Sequence, residues 1–526
     1  MNSNNLDTSL NCRNNLESSP SCNRIARNRQ SIKDLIRLFF RFLVFDLNPF
    51  WIQLAYFVIL SFFGYVALKI TKPRTSLKPK DLDLFFTSVS STTVSSMGTV
   101  EMEVFSNTQL VIMTILMLTG GEVFVSMLGL QLSSFKLHIS SGDRVEAADP
   151  SSTSSVDYQS FTRYNSIKCL GSVVLGYLLV VHTLGYILVT RYTTWVPSAN
   201  RVLKNKAIEI PTFAAFAAFA AFTIVSTFAN CGFVPTNENM IVFKKNSGLL
   251  LSLVPQILLG NTLYPSCLRF SIWVLWKTTK RTKFHYMLRN YEEMGYSSLL
   301  SAVHSSLLAV TVFGFMLVQF VLFCALEWNS EIMDGLNPYQ KFMAFETYRR
   351  IGLRSLHYYS SYFGALRWND HNYLLNGYFI FSRYLPSYTS FFSTNDQKIL
   401  SENTRQNHSA SWWKTFIECM VFSPLSYIAI FVILICITER AKMKKDPLNF
   451  NVFNIVIEVV SAYGNVGFST GYSCERQLEP ECVCIDKWYG FVGRWSAKGK
   501  SILILVMAFG RLKKFTLQGG KAWVLS

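Results

Sequence analysis

Long apolar runs alternate with shorter, more polar runs along most of this chain. Residues 50–70 form an apolar run that is long enough to cross a bilayer, because a membrane-spanning helix takes about 20 residues. The next run, 83–96, is too short and too rich in Ser and Thr to cross, whereas the run 109–132 is again long enough. The pattern predicts a helical span, a short helix that does not cross, and a second span.

The same order of runs returns further along the chain. Later spans are predicted at 168–190, 248–276 (interrupted by Gly and Pro), 299–328 and 500–515, with another around 424–438, and short helices at 210–230 and 449–463. Repetition at a long period is the sequence signature of a protein built from internal repeats. We therefore predict an all-α polytopic membrane protein with four span–pore-helix–span pseudo-repeats.

Two of the short helices end in nearly the same sequence. Residues 228–233 and 463–468 both read aromatic, small, Asn, any residue, Gly, Phe, and residues 93–97 align with them in the first unit. A Gly at such a turn lets the chain point carbonyl groups inward, and irregular backbone survives at membrane depth only where it is buried or lines a water-filled cavity. Four such turns around one axis can replace the hydration shell of a cation, which predicts a central cation pore. The alternative is that Gly232 and Gly467 only allow close helix packing.

These repeats set the boundaries that we expect along the chain. Residues 1–48 form an N-terminal tail rich in Ser, Asn and Arg. The pore units are expected at 49–133, 168–276, 299–395 and 414–526, the last including the C-terminus, and cytoplasmic linkers at 134–167, 277–298 and 396–413.

Composition also indicates a membrane protein. Only 16% of the 526 residues are charged, against about 25% in an average soluble domain, and half are hydrophobic. The net charge of +18 can signal nucleic-acid binding, but here Lys and Arg cluster between the apolar runs and in the N-terminal tail. Such clusters are typical of the cytoplasmic side, next to anionic lipid. We therefore expect a cytoplasmic N-terminus, the lipid bilayer as a partner, and no nucleic acid.

Several longer motifs point to one family. They read SSMGTVEME at 95–103, GGEVF at 120–124, VPTNENM at 234–240, DPLNF at 446–450, and SAYGNVGF at 461–468 followed by GYSC at 471–474. On these motifs the chain resembles the plant HKT transporters, in the Trk/Ktr/HKT superfamily of potassium and sodium transporters. The sequence has no phosphate-binding Gly loop and no clear nucleophile–base pair, so we expect neither an enzyme nor a cofactor.

The resemblance implies a single-file cation pore to which each unit contributes one filter residue. The matching positions are Ser96, Gly232, Gly352 and Gly467. In HKT proteins a Ser at the first position accompanies sodium selectivity, whereas a Gly accompanies potassium permeation. The resemblance thus implies passage of Na⁺ down its electrochemical gradient across the plasma membrane, in a homodimer with one pore in each protomer. If the alignment is shifted by two residues, Gly98 replaces Ser96 and K⁺ also passes.

Charged residues near these turns have two interpretations each. Glu101, Glu103 and Glu238 follow filter turns, where an acidic pore mouth would concentrate cations, or they are ordinary solvated loop charges. Arg511 lies in the last predicted span, where a basic residue in the inner pore would oppose ion entry and tune conductance. Alternatively, its side chain reaches out to the cytoplasmic surface.

The third unit departs from the family pattern. In residues 345–355 only Gly352 can serve as a filter residue, and its neighbours do not match. The segment 356–383, where an apolar span is expected, carries several charged side chains that are costly within lipid. A local frame slip or a mis-spliced exon is one explanation, and a divergent unit with basic side chains facing the pore is the other. If the third unit is as written, transport would be impaired, and a non-conducting variant is the alternative to a conducting Na⁺ pore.

Cysteines and a glycosylation sequon bear on the topology. Cys474, Cys482 and Cys484 cluster in a predicted outer loop, where one disulfide can form. The sequon at Asn407 falls on the predicted inner side, so glycosylation there would contradict the topology.

Overall fold

The structure, a computed structural model, describes residues 49–75, 78–147, 156–205, 213–243, 245–296, 298–326, 424–478 and 484–514. In this part of the chain the regular structure is helical and contains no strand. The predicted all-α class is therefore confirmed for these residues. Gly352, Asn407 and the anomalous segment of the third unit lie outside them.

The first unit contains four helices. They are α1, Pro49–Ile70; α2, Asp81–Thr92; α3, Asn107–Gly120; and α4, Glu122–Ala147. A capping box starts α3: the Ser106 hydroxyl accepts from the Gln109 N–H, and the Gln109 side chain accepts from the Ser106 N–H. The chain bends by 53° between α3 and α4, so the run predicted as one span is broken at Gly121.

The second unit begins with a helix of 40 residues, well beyond the predicted span. Its helices are α5, Val156–Trp195; α6, Pro197–Asn205; α7, Phe213–Phe228; α8, Ser247–Ile257; and α9, Tyr264–Thr279. A π-helical turn, Leu258–Thr262, joins α8 to α9, and the chain bends by 92° there. Pro265 is tolerated at the start of α9 because the first N–H groups of a helix have no intrahelical partner. The predicted interruption of this span is thus confirmed.

One helix of the third unit, its preceding linker and most of the fourth unit complete the described chain. The helices are α10, Thr282–Arg289; α11, Ala302–Leu326; α12, Pro424–Thr438; α13, Arg440–Lys445; α14, Val452–Tyr463; and α15, Ala497–Lys514. Of these, α11, α12, α14 and α15 overlap the helices predicted there. The short helices α10 and α13 were not predicted.

Two described helices are long and apolar enough to cross a membrane alone: Phe50–Ile70 in α1 and Thr162–Trp195 in α5. The bent pairs α3–α4 and α8–α9 also qualify if each pair is one span. Large apolar side chains such as Phe62 and Leu184 are more than half exposed on the outside of these helices. Such a surface suits lipid rather than water.

The short helices lie inside a layer of longer ones. Helix α2 packs against α1, α3 and α15, α7 packs against α3 and α5, and α14 packs against α12 and α15. Phe86, Val459 and Met507 belong to one buried apolar cluster between α2, α14 and α15. The buried hydroxyl of Ser88 donates to the Ser61 carbonyl at 2.7 Å. This hydrogen bond satisfies one of the hydroxyl groups that are buried with α2.

An ion pair connects the first and fourth units. Asp83 lies in the first turn of α2 and Lys500 in the first turn of α15, and their Oδ1 and Nζ atoms are 2.7 Å apart. Both residues are buried. Because buried charges are stable only when paired, this contact holds the start of α2 beside the start of α15.

Candidate functional site

The three described short helices, α2, α7 and α14, end in the same hydrogen-bonded turn. Two residues past the helix cap, an N–H group donates to a carbonyl five residues earlier, as in a Schellman motif. The three bonds are Ser95 to Ser90 at 2.8 Å, Cys231 to Ser226 at 2.8 Å, and Val466 to Ser461 at 2.9 Å. The turns are therefore equivalent in backbone structure and not only in sequence.

The backbone angles of the turns also match. In each turn, two residues separated by one have positive φ: Val94 and Ser96, Asn230 and Gly232, and Asn465 and Gly467. Ser96, with φ of +55°, is thus at the position that Gly occupies in the other two turns. The left-handed region is unfavourable for a non-Gly residue, so the surrounding structure must hold Ser96 there. Gly98 is not at the equivalent position.

The three turns converge on one place. A Cβ atom added to Gly232 would lie 3.3 Å from the Ser96 hydroxyl oxygen. One added to Gly467 would overlap the Ser96 Cβ atom and lie 2.7 Å from the Ser95 carbonyl oxygen. The predicted filter residues Ser96, Gly232 and Gly467 are therefore side by side, and Gly352 lies outside the described residues.

Hydrogen bonds from Asn and Ser side chains hold two of the turns in position. The Asn465 amide donates to the Ser95 hydroxyl at 2.7 Å and to the Met507 carbonyl at 3.2 Å, which ties the fourth turn to the first turn and to α15. In the second turn, the Ser226 hydroxyl donates to the Phe233 carbonyl at 2.7 Å. These bonds hold the backbone in position next to Ser96, Gly232 and Gly467.

A glycine in the helix that follows each turn supports the same arrangement. An added Cβ atom on any of these glycines would overlap the carbonyl oxygen of the last residue of the short helix. The pairs are Gly120 with Thr92, Gly260 with Phe228, and Gly510 with Tyr463. Sequence reasoning missed this pairing, although a Gly after each short helix was the available signal.

The acidic residues Glu101 and Glu103, which were predicted to line a pore mouth, contact neighbouring loops. The Glu103 N–H donates to the Asn237 side chain at 3.0 Å, and the Asn237 N–H donates to the Glu103 carboxylate at 3.2 Å. Glu101 accepts from the Trp488 N–H at 3.3 Å and lies 3.9 Å from Lys487 Nζ. Glu238 is half-buried in the second unit. Glu101 and Glu103 therefore join loops of different units and are not simple solvated charges.

Arg511 is buried in α15 instead of reaching the surface. Its guanidinium donates to the Gly120 carbonyl and lies 5.9 Å from the ring centre of Phe57. The Glu122 carboxylate attracts it electrostatically. The interpretation in which the side chain reaches out to the cytoplasmic surface is therefore wrong, because only 3% of the residue is exposed.

The loop after the fourth turn contains a disulfide between Cys474 and Cys484, with Cα atoms 5.8 Å apart. The Cys474 N–H also donates to the Asp486 carboxylate at 2.7 Å. Cys482, the third candidate, lies outside the described residues. The disulfide joins two positions that are ten residues apart in the chain that follows the fourth turn.

Sequence reasoning missed three buried charged residues in α2, α14 and α15: Asp83, Glu458 and Lys500. Asp83 and Lys500 form the ion pair described above, and Glu458 lies in the middle of α14. Their signal was present, because an ionisable residue inside a predicted membrane segment is rarely accidental.

A comparison with protein families assigns the chain. Residues 41–346 and 393–516 match the TrkH family, described as a cation transport protein. This is most of the chain, so the chain belongs to the TrkH family. It is a membrane cation transporter and not an enzyme.

Two plant proteins with similar sequences support this assignment. The chain is 46% identical to the sodium transporter HKT1 of Arabidopsis thaliana, over 87% of this chain and 92% of that protein. It is 44% identical to the cation transporter HKT1;3 of Oryza sativa subsp. japonica, over 94% of this chain and 95% of that protein. The crystal structure of the potassium transporter TrkH from Vibrio parahaemolyticus matches with a TM-score of 0.44 and 14% identity, over 89% of this chain and 84% of that one.

Proposed function

We propose that this chain passes Na⁺ down its electrochemical gradient through a pore whose filter contains Ser96, Gly232, Gly467 and, in the third unit, Gly352. The observation that carries the proposal is the convergence of three equivalent turns on Ser96. Irregular backbone persists inside a membrane protein only where it is buried in protein or lines a water-filled cavity. Carbonyl oxygens that line such a cavity can replace the hydration shell of a cation.

The electrostatics of the turns favour a cation over an anion. Each short helix points its C-terminal end, which carries a partial negative charge, at the place where the turns meet. The carbonyl of the last helical residue is enclosed by Gly120, Gly260 or Gly510, which keeps the helix end close to the axis of the pore. Below the filter, Arg511 is a fixed positive charge that we expect to limit the rate of cation passage.

The preference for Na⁺ rests on Ser96. Its side chain adds a hydroxyl and narrows one side of the filter, where Gly232 and Gly467 present no side chain. Gly98, which would serve a filter permeable to K⁺ as well, does not share the backbone conformation of the other two turns. The name of the Arabidopsis thaliana relative, a sodium transporter, agrees with this preference.

We further propose that the chain works as a homodimer in the plasma membrane with the N-terminus in the cytoplasm. The basic N-terminal tail and linkers support this orientation through the positive-inside rule. The Cys474–Cys484 disulfide supports it too, because disulfides persist in the oxidising space outside the cell.

A non-conducting variant is the second candidate function. It is favoured by the charged residues in 356–383, a segment that would have to contribute to the same pore. In this case the chain reaches the membrane but carries no ions.

Expression in a cell with low background current separates these functions. Surface labelling measures delivery to the membrane, and whole-cell recording measures the reversal potential before and after external Na⁺ is replaced by K⁺. A large negative shift is expected for the proposed Na⁺ pore. An unchanged reversal potential would contradict the Na⁺ preference, and absent current at normal surface level would favour the non-conducting variant.

A further inference from the structure

Glu458 is a fully buried carboxylate in α14, five residues before the helix ends at Tyr463. Burying a charged group costs a large amount of free energy unless hydrogen bonds satisfy it. The corresponding positions of the other two short helices are Thr87 and Thr223. Among the described short helices, an acid at this depth is therefore specific to the fourth unit.

The Glu458 carboxylate binds the chain that follows the fourth turn. Its Oε1 atom accepts from the Thr470 N–H at 3.0 Å and from the hydroxyl of Ser469. Ser469 and Thr470 come two and three residues after Gly467. The carboxylate therefore joins the helix before the turn to the segment after it.

Ser469 extends this connection to the loop that precedes α15. Its hydroxyl accepts from the Phe491 N–H at 2.8 Å and from the Gly471 N–H at 3.3 Å. A hydroxyl has one proton to donate and two lone pairs, so these two bonds and the one to Glu458 use its full capacity. This arrangement requires an acceptor at the position of the Glu458 Oε1 atom.

The same loop reaches the first unit. The Gly490 N–H donates to the Gly98 carbonyl at 3.1 Å, two residues after Ser96. A continuous set of hydrogen bonds thus runs from Glu458 through Ser469 and the loop at 490–491 to the segment after the first turn.

We propose that Glu458 is a positioning residue for ion selectivity: as a hydrogen-bond acceptor it sets the spacing between the fourth and first filter turns. The inference rests on the proposed function, because it assigns Glu458 to the same pore. Glu458 does not itself contact the ion. It acts through Ser469 and Thr470 on the place where Gly467 meets Ser96.

Two substitutions at position 458 test the role of the acceptor. Glu458→Gln retains an oxygen that can accept from Thr470 and Ser469, whereas Glu458→Ala removes it. We expect Glu458→Ala to lower the Na⁺/K⁺ permeability ratio about tenfold, on the scale of one lost hydrogen bond to a charged group. Glu458→Gln is expected to restore most of the ratio.

Glu439→Ala is the matched control. Glu439 is also a buried glutamate of the fourth unit, but it accepts from the Ser496 N–H at 2.9 Å, at the start of α15 and away from the turns. It can lower the surface level of the protein but is expected to leave the permeability ratio unchanged. An unchanged ratio in Glu458→Ala, or equal losses in Glu458→Ala and Glu439→Ala, would overturn the inference.

Hydrogen exchange of the purified full-length chain provides a measurement that does not depend on conduction. Glu458→Ala is expected to raise exchange about tenfold or more in 464–473 and 488–495, and Glu458→Gln much less. If the wild-type chain carries no current, the proposed function fails while this measurement still decides the positioning role. Unchanged exchange in Glu458→Ala would overturn that role, as would equal exchange in Glu458→Ala and Glu458→Gln.

Discussion

A side chain on Gly467 would overlap the Cβ atom of Ser96 and lie 2.9 Å from its hydroxyl oxygen. These two residues belong to the first and fourth units, so their closeness brings the turns of these two units together. Gly467 also has φ of +82°, a conformation that L side chains rarely adopt. The position therefore excludes a side chain for two separate reasons, backbone strain and lack of space.

Replacing Gly467 by Ala separates these reasons when it is compared with Gly471→Ala. Gly471 has a similar φ of +72° but open space around its Cβ position. We expect Gly467→Ala to reduce cation current about tenfold or more at equal surface expression, because Ser96 must shift to make room. Gly471→Ala should retain most of the current. Equal losses in both variants would show that backbone strain, and not contact with Ser96, is responsible.

The three glycines that contact the C-terminal carbonyl groups of the short helices should not tolerate substitution by Ala. Gly120→Ala, Gly260→Ala and Gly510→Ala each push a carbonyl oxygen of α2, α7 or α14, and we expect a loss of about 1–3 kcal/mol of stability or more. Gly176→Ala and Gly314→Ala are matched controls, because their Cβ positions contact nothing within 4 Å. Thermal melting of the purified variants measures the difference. Melting of the first three at the wild-type temperature would refute the close packing of the helix ends.

The buried ion pair Asp83–Lys500 should contribute more to the stability of the fold than the exposed ion pair Lys69–Asp81. Lys500→Met leaves the Asp83 charge buried and unpaired, which we expect to cost about 3–5 kcal/mol. Lys69→Met breaks an ion pair of similar length, 2.9 Å, whose side chains are more than half exposed, and should destabilise the protein much less. Melting temperatures of the two variants test this order. Similar shifts would mean that the buried pair contributes no more than a surface pair.

The disulfide gives a direct test of orientation. In intact cells, a membrane-impermeant reductant followed by an impermeant maleimide should label Cys474 and Cys484, because we assign their loop to the outer side. The double variant Cys474→Ser/Cys484→Ser should lose the part of this labelling that requires the reductant, whereas Cys482 remains in both chains. If labelling requires permeabilised cells, the loop is cytoplasmic and the assigned orientation is wrong. Loss of the disulfide should also lower stability by about 2–3 kcal/mol, given the ten-residue separation of its cysteines.

Much of the helical framework could be predicted from the chain because its apolar runs have lengths that only a bilayer requires. The run at 50–70 and the interrupted run at 248–276 are clear examples. The break at Gly121 was not predicted, because Gly residues such as Gly120 and Gly121 also occur within unbroken membrane helices. Local composition therefore predicts that a helix forms but not where it bends.

The turns were predictable because a special backbone conformation restricts the sequence. Positive φ favours Gly, so the turns at Gly232 and Gly467 could be recognised from the sequence. Ser96 could then be aligned with these two glycines. The hydrogen-bond partners of the buried charged residues could not be predicted from the sequence in this way. That Arg511 donates to Gly120, and that Glu458 binds Ser469, follows only from how distant segments pack.

The central claim is that Ser96 makes the filter prefer Na⁺, and Ser96→Gly tests it most directly. The measurement is the shift in reversal potential when external Na⁺ is replaced by K⁺, in the wild type, in Ser96→Gly and in the control Gly98→Ala. A tenfold preference corresponds to a shift of about 60 mV. We predict a large negative shift for the wild type and Gly98→Ala and a much smaller one for Ser96→Gly. Equal shifts in the wild type and Ser96→Gly would contradict the account.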